Sequence, residues 1–334
     1  MDSEILLEKL TKKTESFLIN LSIKHHYKKQ EYSRDLSSAT KYLNYFKHTS
    51  LQLFLPVKRK FNIPMDKSIR IGTDHYSISF PTPYNPVPLF DEDFQADKKL
   101  HETILHYFPY NKKRTSRALI YFHGWGRDSF FVEKQFQFRI FQKAYKADIY
   151  ALELPYHHNR NPRGFSGQGF LDSDVVRTIE AFRQATIEGY YIYQYLNKIY
   201  DDVGAIGVSL GAHILTMFNF LLNQDMFSLI CLVGSPLKLN MRNLSISPNM
   251  LRSMKEKDVV SALTLLDFNK IPVKHYNKCQ FLFGGKFDLI ITPQSVINLG
   301  RHIKSKTYMV PTGHFTFPLY FPHICSKIAH WPKN

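Results

Sequence analysis

A chain of 334 residues with 44% hydrophobic and 22% charged residues is long enough for one sizeable core plus an extension, which excludes a disordered, collagenous or disulfide-stapled miniprotein. Its 44 Lys and Arg against 28 Asp and Glu leave a net charge of +16, a field that concentrates anions near the surface and keeps phosphate-rich partners and anionic lipid open. The odd set Cys231, Cys279 and Cys325 lies in or beside apolar segments, so reduced thiols are expected; with no run of 18 apolar residues and no legible secretory pattern, the expected location is cytoplasmic.

Residues 2–21 set Ile5, Leu6, Leu10, Phe17, Leu18 and Leu21 on one helical stripe behind Ser3, a suitable N-cap, so an amphipathic helix is expected to open the chain. Two readings of the stripe stand: a face packed on the core, or, with Lys9, Lys12 and Lys13 alongside, a peripheral contact with an anionic membrane. From Lys24 to Lys60 the spacing of Leu36, Ala39, Tyr42, Leu43 and Phe46 predicts a second helix, and residues 1–70 form a helical extension. The Pro-rich run Pro81 to Pro88 reads as an extended connector between early strands.

From residue 116 the pattern becomes short apolar strands separated by helices. Strands are predicted at Ala118 to Phe122, Ile149 to Leu154, Val203 to Val208, Leu229 to Val233, Gln280 to Phe283 and Thr307 to Val310, with helices at about 130–145, 171–199, 209–223, 293–304 and 319–329. Near-continuous apolar strands alternating with helices imply an α/β architecture, a mostly parallel sheet covered on both faces, whose site lies beyond the carboxyl ends of the strands. Residues 236–278, from Pro236 through Met241, Met250 and Met254 to Pro272, interrupt this rhythm and are expected to form a small cap.

Gly207-Val208-Ser209-Leu210-Gly211 follows a predicted strand and opens a predicted helix, the context of a nucleophile elbow. The turn is so tight that side chains at the two glycine positions would collide with the neighbouring strand and helix, and Ser209 is held exposed. His123-Gly124-Trp125-Gly126 follows an earlier strand, so a backbone amide there turns toward the cleft; the N–H groups of Trp125 and Leu210 are the expected oxyanion hole. His123 itself reads as a brace for the loop.

A serine hydroxyl needs a histidine to take its proton and a carboxylate to hold that histidine's tautomer. Gly284-Gly285-Lys286-Phe287-Asp288 and Pro311-Thr312-Gly313-His314 each stand just past a strand, at the sheet edge where the elbow opens, which yields Ser209, Asp288 and His314 as a triad in the required chain order. Asp267 is the competing acid, in the expected cap.

Together GVSLG, HGWG, GGKFD and GHF resemble the serine α/β-hydrolase superfamily of esterase and lipase type over about residues 100–334. The resemblance implies an eight-stranded, mostly parallel sheet within a domain of residues 71–334, Ser209 as nucleophile, His314 as base and Asp288 as its orienting acid. It also implies cleavage of a carboxylic ester through an acyl-enzyme. No cofactor or metal is called for, and the substrate would be a small-molecule or lipid ester. The same triad would serve a thioesterase or amidase, and a hydrolase-fold binding protein is the non-enzymatic alternative.

Where many hydrolases carry a glycine-rich loop, Pro155-Tyr156-His157-His158-Asn159-Arg160-Asn161-Pro162-Arg163 stands instead, similar to a less-studied group of bacterial hydrolases and their abhydrolase-domain relatives. Arg160 or Arg163 would fork onto an anionic part of the substrate; the plainer reading is an Arg and His network bracing a long loop. Adjacent His157 and His158 diverge and lack accompanying carboxylate or Cys spacing, which disfavours a metal site. Without a zinc-finger, RNP or helix-turn-helix signature, nucleic acid is not an expected partner.

Overall fold

The computed structural model of the chain describes residues 3–26, 41–42, 44, 54–55, 61–112, 115–162, 164–172, 174–234 and 263–328. Most of the predicted second helix, most of the expected cap with Met241, Met250 and Met254, and Arg163 lie outside them.

The strands are β1 (Ile69–Gly72), β2 (His75–Pro81), β3 (Glu102–Phe108), β4 (Arg117–Phe122), β5 (Asp148–Leu152), β6 (Asp202–Val208), β7 (Ser228–Cys231), β8 (Gln280–Gly285) and β9 (Lys306–Val310). They form one sheet in the order β1-β2-β3-β5-β4-β6-β7-β8-β9. The first three join antiparallel, β3 meets β5 antiparallel, and every pairing from β5 through β4 to β9 is parallel. The six strands predicted from residue 116 are all present. The sheet exceeds the implied eight strands by β1, a short edge hairpin partner of β2 whose Ile69 and Ile71 are exposed, so no buried apolar run announced it.

Burial on both faces explains why β4 and β5 read as unbroken apolar runs. Successive residues of a strand point to opposite faces. Thus Phe122 meets Phe218 of the helix Leu210–Leu221, while Tyr121 meets Phe141 of the helix Arg139–Tyr145, which in turn meets Phe321 edge to face. The long helix Val175–Leu196 starts where Asp174 accepts the N–H groups of Val176 and Arg177, and Thr292 with Pro293 starts the helix Pro293–His302 in the same manner.

The first helix, α1 (Ser3–His26), does form, but it turns a different face inward from the apolar stripe. Glu15 and Ile19 are buried and Glu8, Thr11 and Leu18 half-buried, spaced three or four apart, whereas Ile5, Leu6, Leu10 and Phe17 stay exposed, Phe17 at 62%. Among the described residues no helix is long and apolar enough to cross a membrane.

Candidate active site

The carboxyl ends of β4, β6, β8 and β9 lie side by side in the parallel half of the sheet, apart from β7 between β6 and β8, and each delivers one predicted segment. After β6, Ser209 takes φ 54° and ψ −115°, a conformation that costs strain in any residue but glycine. Its surroundings over-determine it. The Ser209 N–H donates to Cys231 O at 2.9 Å and its carbonyl accepts from Ala212 and His213. A Cβ on Gly211 would overlap the Phe122 carbonyl, and one on Gly207 would meet the Gly211 carbonyl, so both glycines are dictated by close backbone approach.

Ser209 Oγ lies 2.9 Å from Nε2 of His314, and Nδ1 of His314 lies 2.8 Å from Oδ2 of Asp288. The other carboxylate oxygen, Oδ1, accepts from the Ile290 and Ile291 amides at 2.7 and 2.8 Å. Three residues drawn from the ends of β6, β8 and β9 thus form one continuous line of hydrogen bonds. Asp267, by contrast, caps the single turn Phe268–Lys270 by accepting from Asn269.

Burial by itself would lower the pKa of His314; the charge of Asp288, its hydrogen bond and the nearby Glu15 carboxylate outweigh burial, and the net shift is upward. Beside it, His213 is buried with Nδ1 3.0 Å from Ser209 O and stays neutral, its pKa pushed down to about 4 chiefly by burial.

After β4, a Cβ on Gly124 would stand 3.7 Å from Cβ of Ser209, so the HGWG turn runs directly against the elbow. Leu210 opens the helix Leu210–Leu221, where backbone N–H groups have no carbonyl one turn earlier. His123 braces the turn: Nδ1 lies 2.7 Å from Gly124 O and Nε2 accepts from Leu154 N–H at 3.2 Å. The Trp125 indole donates to Gly167 O at 2.7 Å, tying the turn to the segment after the PYHHNR loop.

Arg160 is where the expectation needs correction. Its side chain is fully buried, and the guanidinium forks onto Glu188 with two 2.7 Å bonds while also donating to Glu153 O. The fork is occupied by a carboxylate of the helix Val175–Leu196, so Arg160 braces the loop rather than offering itself to substrate. His157 and His158 are buried too, and burial lowers both to a pKa of about 3. Among the described residues no group of three His, Cys, Asp or Glu side chains could hold a metal ion.

Glu15 escaped sequence reading. From α1 its carboxylate accepts the backbone N–H of His314 at 2.8 Å, of Phe315 at 3.0 Å and of Thr316 at 3.2 Å. A lone glutamate in a Lys- and Glu-containing helix carries no motif that would have marked it.

No family model matches the chain, and no curated protein matches it. Among solved structures it is similar to acetyl xylan esterase 1 from Thermoanaerobacterium sp. JW/SL YS485, with TM-score 0.54 and 15% identity over 86% of this chain and 93% of that one. It is also similar to the acetyl xylan esterase from Paenibacillus sp. R4, with TM-score 0.54 and 10% identity over 94% and 99%. A hyperthermophilic esterase from Pyrobaculum calidifontis gives TM-score 0.52 and 11% identity over 95% of each chain. The fold is therefore the α/β-hydrolase fold, a mostly parallel central sheet flanked by helices.

Proposed function

We propose that the protein is a serine hydrolase that cleaves a carboxylic ester through an acyl-enzyme, with Ser209 as nucleophile, His314 as base and Asp288 as its orienting acid. The observation that carries this reading is the line Ser209 Oγ, His314 Nε2, His314 Nδ1, Asp288 Oδ2 at 2.9 and 2.8 Å, built on a serine held at positive φ. Solved neighbours of the same fold that are esterases favour an ester over other acyl donors.

In the reaction, Oγ of Ser209 attacks the ester carbonyl carbon as its proton passes to Nε2 of His314. The carbonyl π electrons move to oxygen, and the backbone N–H groups of Trp125 and Leu210 receive that oxyanion. When the carbonyl re-forms, the alkoxide leaves with the proton from Nε2. A water molecule repeats the sequence on the acyl-enzyme, releasing the acid and restoring Ser209. Because the fork of Arg160 is spent on Glu188, nothing in this reading demands an anionic substrate.

The second proposal concerns an anionic lipid surface as partner of α1. It is supported by the outward face of that helix, where exposed Leu6, Leu10 and Phe17 lie among exposed Lys9 and Lys13 on a chain of net charge +16.

Fluorophosphonate labelling tests the nucleophile: the probe is expected on Ser209 and lost in Ser209→Ala. A panel of nitrophenyl esters, thioesters and anilides of increasing acyl length then reads the leaving group, with esters expected to turn over fastest. Unaltered turnover in Ser209→Ala would overturn the assignment.

A further inference from the structure

Glu15 is fully buried on a helix whose flanking Lys12, Lys13, Thr14, Ser16 and Phe17 are exposed. A buried carboxylate needs compensation, and among the described residues no lysine or arginine pairs with this one. What compensates it is the backbone after β9. Oε2 accepts from His314 N–H at 2.8 Å and Phe315 N–H at 3.2 Å, while Oε1 accepts from Phe315 N–H at 3.0 Å, Thr316 N–H at 3.2 Å and Thr316 Oγ1 at 3.3 Å. Three consecutive amides, beginning with that of His314, converge on a single side chain supplied from 299 residues earlier in the chain.

A second observation is independent of these bonds. A Cβ on Gly313 would overlap Cγ and the carboxyl carbon of Glu15. The backbone of Gly313 has no positive φ that would require glycine, so what a side chain meets there is Glu15 itself. The glycine before His314 and the glutamate of α1 are a fitted pair.

We propose that Glu15 is a positioning residue for the site, resting on the serine hydrolase reading: its carboxylate holds the 314–316 turn so that the imidazole of His314 spans Ser209 and Asp288. The helix α1 is by this account part of the active-site scaffold. Free of that acceptor, the three amides would seek water, and the turn that carries the imidazole would lose its fixed position. A misplacement of about 1 Å is enough to cost on the order of 100-fold in rate.

The charge of Glu15 gives a further readout. The groups facing His314 are Asp288 at Nδ1, Ser209 at Nε2, neutral His213 beside the elbow, and Glu15. Asp288 and Glu15 both favour the imidazolium, so neutralising Glu15 moves the acid limb of the pH–rate profile to lower pH. That displacement reads the nearness of the charge to the ring, and the exchange of residues 314–316 reads its grip on the turn; a carboxylate that merely secured α1 would leave that exchange unchanged.

The test compares wild type, Glu15→Gln, Glu15→Ala, Gly313→Ala and the double variant Glu15→Ala/Gly313→Ala in the full chain. Two quantities are read: the rate of fluorophosphonate labelling of Ser209 against pH, and amide hydrogen exchange of residues 314–316. Glu15→Ala is expected to label about 10- to 100-fold more slowly and to exchange faster at 314–316. Glu15→Gln, which keeps the size and one acceptor oxygen, is expected to recover much of the rate with its acid limb displaced downward. Gly313→Ala is expected to slow labelling in the wild-type background and to add little in Glu15→Ala. If Glu15→Ala does not fold, Glu15→Gln and Gly313→Ala carry the same readouts. Wild-type labelling at Ser209 with unchanged rate, pH profile and exchange in the Glu15 variants overturns this proposal alone. Absence of labelling in wild type overturns the hydrolase reading, and the exchange data then judge the grip of Glu15 on the turn by itself.

Discussion

Asp288 meets His314 with one carboxylate oxygen only. Oδ2 faces Nδ1 at 2.8 Å, and Oδ1 is committed to the amides of Ile290 and Ile291. Those amides are donors, so Asp288→Asn must keep its carbonyl oxygen toward them and present its NH2 to Nδ1. The imidazole would then accept at Nδ1 and carry its proton on Nε2, where it is unable to take one from Ser209. Turnover of a nitrophenyl ester is expected to fall by about 10⁴-fold with the fold retained. If Asp267→Asn proved the damaging change and Asp288→Asn the mild one, the acid would be misassigned.

Replacing Arg160 by alanine strands Glu188 as an uncompensated buried charge, which is expected to destabilise the protein by about 3–5 kcal/mol in urea unfolding. Exchanging both partners, Arg160→Met with Glu188→Met, removes the charges together and is expected to restore most of that loss. Discrimination between anionic and neutral esters should be the same in the double variant as in wild type. A selective loss of activity on anionic esters there would return Arg160 to the substrate.

Acid is expected to weaken the protein through its buried imidazoles. Burial lowers His157 and His158 to about 3 and His75 to about 4, below the ordinary value near 6.5 that the unfolded chain would show. Between those values the unfolded chain binds protons that the folded one refuses, so stability is lost as pH falls from about 6.5 toward 3. His314 acts in the opposite sense, since its raised value favours the folded state below the unfolded pKa and that contribution fades as pH rises. The loss should dominate, giving a Tm that drops steadily from pH 7 to pH 5. A Tm that rose over that interval would show that these rings are not held neutral.

Flotation with anionic and neutral vesicles examines the outer face of α1. Binding to anionic vesicles is expected to decline with salt, because exposed charges are screened within about 8 Å at physiological ionic strength. Leu10→Asp with Phe17→Asp should abolish it without touching Glu15. Equal flotation on neutral vesicles, or none in wild type, would remove the lipid surface from the account.

The parallel half of the sheet and the residues that form the hydrogen-bonded line Ser209, His314 and Asp288 were legible because their signals are local. An apolar strand followed by Gly-x-Ser-x-Gly, or by a glycine and a histidine, declares its turn chemistry within a few residues. β1 was not legible, since an edge strand with Ile69 and Ile71 exposed has no buried face to imprint. The role of Arg160 depended on Glu188, which sits within the buried face of the helix Val175–Leu196 among Ile187 and Ile192. A charged residue at such a position calls for a partner, which the fold supplies as Arg160. Glu15 offered none: its spacing from Ile19 and Thr11 suits a helix face, but only the fold brings that face to residue 314. The stripe of α1 left two readings open for the same reason, because apolar periodicity tells which residues share a face and not which way the face turns.

The separation of 299 positions between Glu15 and His314 also sets a timetable for biosynthesis. At roughly 5–20 residues per second, a ribosome needs about 15–60 s to go from one to the other. Until residue 314 emerges, the nascent helix has no turn to grip and the serine at residue 209 has no base. Translation products arrested before residue 314 would display the nucleophile without the means to use it. On the proposed chemistry, then, activity waits until α1 and the turn after β9 first meet.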